Sequence, residues 1–137
     1  MPQKITHGYK ELMAKAEAAV ESVSAADAFR LAKRHDVVVV DIRDFRELER
    51  EARIAGSFHA PRGMLEFWVD PESPYHKPIF AHDKTFVIHC ASGWRSLLAT
   101  MALQDMGLKP VKNLTGGFAA WKEAGGAVEK LPEKNNR

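Results

Sequence analysis

Apolar and polar positions along the chain fall into two alternating periods. From Tyr9 to Val20, the residues Leu12, Ala16, Ala19 and Val20 lie on one stripe with Lys and Glu elsewhere, the spacing of an amphipathic helix. Ser24 opens a second helix. Asp27 stands three residues on in a Ser-x-x-Asp capping pattern, and Ala28, Phe29, Leu31 and Ala32 supply the apolar side to about His35-Asp36. Val37 to Val40 then follow without a polar break, and such a run of β-branched residues suits a strand covered on both faces, as in a parallel sheet. Asp41-Ile42-Arg43 closes that strand, and Asp44-Phe45-Arg46-Glu47 reads as another capped helix start. Residues 53–63 read as a loop with a short strand at Ser57 to His59, and Met64 to Val69 as a helical turn. Asp70 to Asp83 carries Pro71, Pro74 and Pro78 and reads as a surface loop; its Tyr75 and Phe80, with Phe67 and Trp68 before it, predict that it packs on something.

A buried-type run, Phe86 to Ile88, leads to Cys90, and Ser96 to about Met106 reads as a helix that Gly107 can cap in the left-handed conformation. Pro110 to Leu114 is a short strand. Thr115-Gly116-Gly117 then turns into a helix with Phe118, Trp121 and Ala124 on one stripe, ended by Gly125 and Gly126. Strand and helix thus alternate. That order predicts an α/β fold, with a central, mostly parallel sheet, helices on both faces and an extra N-terminal helix. One domain is expected over 1–137, with its core at about 23–128, a helical extension over 1–21 and a polar tail over 131–137.

Composition narrows the function classes. The chain has 137 residues, of which 45% are hydrophobic and 28% charged, as in an ordinary soluble protein. A net charge of +2 gives no reason to expect nucleic-acid binding. No apolar run approaches the ~18 residues of a membrane span, and Met-Pro-Gln-Lys-Ile-Thr-His lacks the apolar core of a signal peptide. The single cysteine excludes an intramolecular disulfide and suits a reducing cytoplasm. The six histidines are scattered without ligand spacing, so no metal and no cofactor are expected. Nothing in the pattern predicts an interface, and a monomer is the expectation.

The candidate chemistry sits at Cys90-Ala91-Ser92-Gly93-Trp94-Arg95-Ser96. Cys90 stands where a strand ends and a tight loop opens onto a helix N-terminus. Backbone N–H groups of such a loop, together with the positive end of the helix, favour an anion, a thiolate included. The thiol pKa is therefore expected below its ordinary value, with Arg95 adding a fixed positive charge. His89 adjoins the cysteine, but successive strand residues face opposite sides, which turns it away from the pocket. Arg43 with Asp41 at the end of the neighbouring strand is expected to hold a loop as an ion pair. Arg43, Arg62, Glu66 and Trp68, with His59, are the candidates for a pocket rim, although ordinary loop and surface roles explain them as well. Trp94 is a lid over the site or a partner contact.

Cys90-x-x-Gly93-x-Arg95-Ser96 after a short apolar strand resembles the active-site loop of the rhodanese (sulfurtransferase) domain. Three further segments, in the same order, are similar to that family. They are Asp41-Ile42-Arg43; Ile54-Ala55-Gly56-Ser57 followed by His59-Ala60-Pro61; and Gly116-Gly117-Phe118-Ala119-Ala120-Trp121 with Gly125. The likeness spans roughly Val23 to Val128. It implies a sulfurtransferase that moves a sulfane sulfur from a donor such as thiosulfate, through a persulfide on Cys90, to cyanide or a thiol. The substrate would be a small sulfur-containing anion or thiol. The pattern departs from the family at Arg53, where the family often has His, at Ala55 for a common Pro, and at Ala91, where many thiosulfate-using members have Arg. A missing cation at Ala91 keeps a second reading open, a sulfur-relay or regulatory module that hands its persulfide to a protein partner. A third, a phosphatase or arsenate reductase on a related fold, would resemble Cys-x5-Arg, whereas four residues separate Cys90 from Arg95 here.

Overall fold

The computed structural model describes residues 2–133. The expected polar tail lies, from residue 134 on, outside the described residues. Helix α1 (Tyr9–Ala19) leads through strand β1 (Glu21–Val23) to α2 (Ala25–Ala32), β2 (Val37–Asp41) and α3 (Phe45–Glu51). Two short strands follow, β3 (Arg53–Ile54) and β4 (Phe58–His59), then a 3-10 turn (Arg62–Met64) running into α4 (Leu65–Val69). After a second 3-10 turn (Pro78–Ala81) come β5 (Thr85–His89), α5 (Trp94–Met106), β6 (Val111–Leu114), α6 (Gly117–Glu123) and β7 (Val128–Glu129).

The sheet order is β1-β6-β5-β2-β4, and every pairing in it is parallel. Val37–Val40 pairs in register with Thr85–Ile88 at the centre, which is why both strands need apolar residues on both faces. Residues on one face alternate with those on the other. Val40, Phe86, Ile88 and Cys90 pack with Leu65 and Val69 of α4 and with Ala99 and Leu103 of α5. Val39, Val87 and Leu114 pack with Ala28 of α2 and with Phe118 and Trp121 of α6. Outside α5 lies α1, whose Ala16 joins Val20 and Leu97 in a smaller buried group. Leu12, expected on the buried stripe of α1, is 47% exposed because the helix touches its neighbour along a narrower line than its pattern suggests.

The capping signals work as read. The Ser24 side chain accepts from the Asp27 N–H, Asp44 and Glu47 form a reciprocal capping box, and Gly107 closes α5 at φ +104°. Three features differ from the sequence pattern. Strand β1 is too short and polar to stand out, and it exists because β6 offers it a partner. The two-residue strands β3 and β7 form a separate antiparallel ribbon. The Asp70–Asp83 connection is not all loop: Phe80 of its 3-10 turn is buried and stacks on Phe86.

Candidate active site

Cys90 follows the last residue of β5, and its side chain is buried, with 1% of the residue exposed. Its sulfur accepts the Gly93 N–H at 3.2 Å and the Ser96 N–H at 3.4 Å, and it lies 3.5 Å from the Ser96 hydroxyl. Burial is the largest influence on the thiol and pushes its pKa up. For the ionised sulfur, the hydrogen bonds that the Ser96 hydroxyl and the N–H groups of Ser96, Gly93 and Ser92 can give outweigh it, so the net shift is downward.

The loop owes its curl to two glycines. Gly93 stands at φ +102°, and a Cβ there would meet the Gly116 nitrogen at 3.1 Å. Gly117, at φ +59°, leaves no room at all: a Cβ would come within 2.5 Å of the Cys90 carbonyl oxygen. That close approach lets α6 donate two of its first N–H groups to the cysteine loop, Phe118 to the Cys90 carbonyl at 2.8 Å and Ala119 to the Ala91 carbonyl at 3.1 Å. With those carbonyls held toward α6, the loop's N–H groups are left facing the sulfur.

Helix α5 begins at Trp94, two residues earlier than the sequence pattern suggests, so the loop proper is Ala91-Ser92-Gly93. Trp94 is 58% exposed and stacks on Tyr9 of α1, with ring centroids 5.4 Å apart. Arg95 donates to both carboxylate oxygens of Glu47 in α3, each at 2.9 Å. This fork raises the Arg95 pKa and holds the Glu47 carboxyl below its ordinary range. Arg95 thus ties the cysteine loop to α3.

Cys90 and His89 point to opposite sides, as strand alternation requires: His89 lies against the Phe118 ring, 6.4 Å between centroids. Its Nδ1–H donates to the Cys90 carbonyl at 3.1 Å, since a carbonyl can only accept. Its Nε2 has no partner and stands 3.7 Å from an Asp41 oxygen. Full burial lowers the His89 pKa and keeps the ring neutral.

Of the two roles expected for Arg43, the structure shows the ion pair with Asp41 and not the pocket rim: its side chain is fully buried. The guanidinium donates to both Asp41 oxygens, at 3.0 Å from Nε and 2.8 Å from Nη2, and to the Ala52 carbonyl at 2.9 Å. A buried charge needs such pairing, which removes Arg43 from any open pocket. Arg62 and Glu66 pair with each other at 2.6 Å, partly exposed. Trp68 packs edge-on against Phe58 and carries Lys77 over its ring. Arg62, Glu66 and Trp68 make no hydrogen bond or ion pair with the 90–96 loop among the described residues. His59 donates from Nε2 to the Arg43 carbonyl at 2.7 Å and so steadies that turn.

A family model described as "Rhodanese-like domain" matches residues 24–124. The chain belongs to the rhodanese-like family. Helix α1 lies outside the matched segment. Among curated relatives, the Thiosulfate sulfurtransferase GlpE of Coxiella burnetii is 29% identical over 102 residues, covering 74% of this chain and 87% of that protein. A Sulfurtransferase of Allochromatium vinosum is 33% identical over 96 residues, covering 70% of this chain and 81% of that one. A solved structure from Rhodopseudomonas palustris CGA009 is 56% identical with a TM-score of 0.91, covering 94% of this chain and 99% of that one. It is described as a protein of unknown function and "Possible Tyrosine Phosphatase".

Sequence reasoning missed Asn113, Glu47 and Ser22. Asn113 is 4% exposed on β6, where it accepts the Ser96 hydroxyl at 2.7 Å and donates from Nδ2 to Ser22 Oγ at 3.4 Å. The available signal was an amide in the short strand Val111-Lys112-Asn113-Leu114, on the same face as Val111. Glu47 carried only a capping signal, and its second partner, Arg95, is 48 residues away in sequence.

Proposed function

We propose that this rhodanese-like protein is a sulfurtransferase in which Cys90 is the nucleophile and sulfur carrier. The observation that carries the reading is a cysteine sulfur facing backbone N–H groups, with no side-chain base hydrogen-bonded to it among the described residues. Those N–H groups lower the pKa of the thiol, and once it ionises the thiolate attacks without a base. Its lone pair attacks the outer sulfur of a donor such as thiosulfate; the donor's S–S bond breaks and sulfite leaves with the electron pair. The resulting persulfide anion takes the same N–H groups. An acceptor, cyanide or a thiolate, then attacks the outer sulfur, and Cys90 leaves as the thiolate. The reading calls for no cofactor or metal, suits a reducing cytoplasm and treats the protein as a monomer.

A relay role, with a protein as acceptor, draws support from Ala91, which leaves that position of the loop without a cation for a small anionic donor. The phosphatase reading takes its support from the description of the Rhodopseudomonas relative. Against it stands the four-residue spacing, one short of the Cys-x5-Arg loop.

Intact-protein mass after thiosulfate, then after cyanide, with thiocyanate assayed in parallel, separates these readings. A gain of one sulfur that cyanide removes with repeated thiocyanate formation is the expected result. Uptake with little turnover would favour the relay. No uptake from thiosulfate or from a polysulfide, with hydrolysis of p-nitrophenyl phosphate, would replace sulfur transfer by the phosphatase. Cys90→Ser is expected to lose sulfur uptake while keeping the circular-dichroism spectrum of the folded chain.

A further inference from the structure

Ser96 has one hydroxyl proton and two groups that want it. The Asn113 carbonyl oxygen lies at 2.7 Å and the Cys90 sulfur at 3.5 Å. In this geometry the proton goes to Asn113, and the Ser96 oxygen is left to accept from the Cys90 S–H. All three side chains are buried, with Ser96 fully so, and among the described residues its hydroxyl bonds only to these two. The Asn113 amide is in turn oriented by Ser22 on β1, whose Oγ accepts from Nδ2. The Ser96 backbone is pinned separately, by the Thr100 hydroxyl on its carbonyl at 2.7 Å, so the contest concerns a rotating proton and not a moving helix.

We propose that Asn113 is a positioning residue that competes with the Cys90 sulfur for the Ser96 hydroxyl proton, and thereby sets how readily the sulfur ionises. As drawn, the chain runs from Cys90 S–H to the Ser96 oxygen and from Ser96 O–H to the Asn113 carbonyl, an order that satisfies the thiol. A thiolate, or a persulfide anion, has no proton to give. It is served best when Ser96 O–H swings to sulfur, which leaves the Asn113 carbonyl without its donor. Asn113 opposes that swing. The fully made backbone cradle of Gly93 and Ser96 N–H groups is unaffected by it.

The charged groups around the site act by other routes. Arg95 is forked to Glu47 and also lends its charge to the Cys90 sulfur, a contribution that stays the same when Asn113 is replaced. His89 lies behind the Cys90 carbonyl with Asp41 and Arg43, and Lys112, next to Asn113, is engaged by Glu21. The inference rests on Cys90 as the reacting group of the proposed sulfurtransferase. It is read on the sulfur itself, however, so its failure and the failure of sulfur transfer are separate results.

The experiment is the pH profile of Cys90 alkylation by iodoacetamide, followed by intact mass in the full chain. Asn113→Leu keeps the branched shape and removes the competitor. Its ionisation midpoint is expected to fall, with alkylation about two- to tenfold faster on the acid side of the midpoint, the range of one neutral hydrogen bond. Ser96→Ala is expected to raise the midpoint, and adding Asn113→Leu to Ser96→Ala is expected to change nothing further. Asn113→Ala serves in the same comparison if the leucine variant does not fold. A midpoint unchanged or raised by removal of Asn113 overturns the proposal, and so does a shift of equal size in the Ser96→Ala background, which would mark Asn113 as merely structural.

Discussion

Two buried side chains next to the cysteine loop show how much of this site is held by a charge pair turned away from the sulfur. Arg43 and Asp41 form a fully buried pair with three side-chain hydrogen bonds between them. Removing one partner of such a pair leaves the other charge stranded, at a cost of about 3–5 kcal/mol. Arg43→Met is therefore expected to lower the urea-unfolding free energy by that amount. Burial pushes the Asp41 carboxyl up, but the Arg43 hydrogen bonds and the nearby charges outweigh it, so its folded pKa lies below the unfolded one. The stability it contributes is present above the ordinary carboxylate value of about 3.9 and is lost as pH falls through the folded value. His89 acts in the same direction from a higher pH. It is buried neutral with a lowered pKa, so the unfolded chain binds the extra proton once pH falls below about 6.5. The urea midpoint is expected to decline from pH 7 to pH 5, and His89→Gln to flatten that decline.

At the scale of elements, the cysteine loop depends on two helices that sequence order places far from it. The first turn of α6 holds the Cys90 and Ala91 carbonyls, and α3 holds Arg95 through Glu47. Gly117→Ala would drive a methyl group into the Cys90 carbonyl, so it is expected to cost about 1–3 kcal/mol as overpacking. It is also expected to move the alkylation midpoint of Cys90 upward as the N–H groups lose their aim, measured with the same pH profile. Glu47→Gln keeps the shape of the capping box but weakens the fork to Arg95. Because the pair is partly exposed, a loss of about 1 kcal/mol or less in stability is expected by urea unfolding.

For the whole molecule, α1 is the distinctive addition. It lies outside the segment matched by the family model, packs Ala16 and Val20 on Leu97, and brings Tyr9 onto Trp94 at the entrance to the cysteine loop. Shortening the chain to begin at Glu21 is expected to expose Leu97 and lower stability by about 2–4 kcal/mol, from the apolar area returned to water. Thermal and urea unfolding would measure that loss. No helix among the described residues is long and apolar enough to cross a membrane.

Local chemistry explains what could be read from the residues alone. The Val37–Val40 run, the Ser24 and Asp44 caps, the glycine turns and the Cys-x-x-Gly-x-Arg-Ser loop each act over a few neighbouring residues. Helix and strand periods, the α/β order and the position of Cys90 at a strand end follow from such signals. Only the tertiary structure decided what meets across the chain. It buried the Arg43–Asp41 pair completely, gave Glu47 its second partner, set Asn113 against Ser96, and built the β3–β7 ribbon. A two-residue strand has no period, and a polar side chain carries no mark of the partner that will satisfy it. Burial creates the need for a partner and topology supplies it, so both are settled only when distant segments pack.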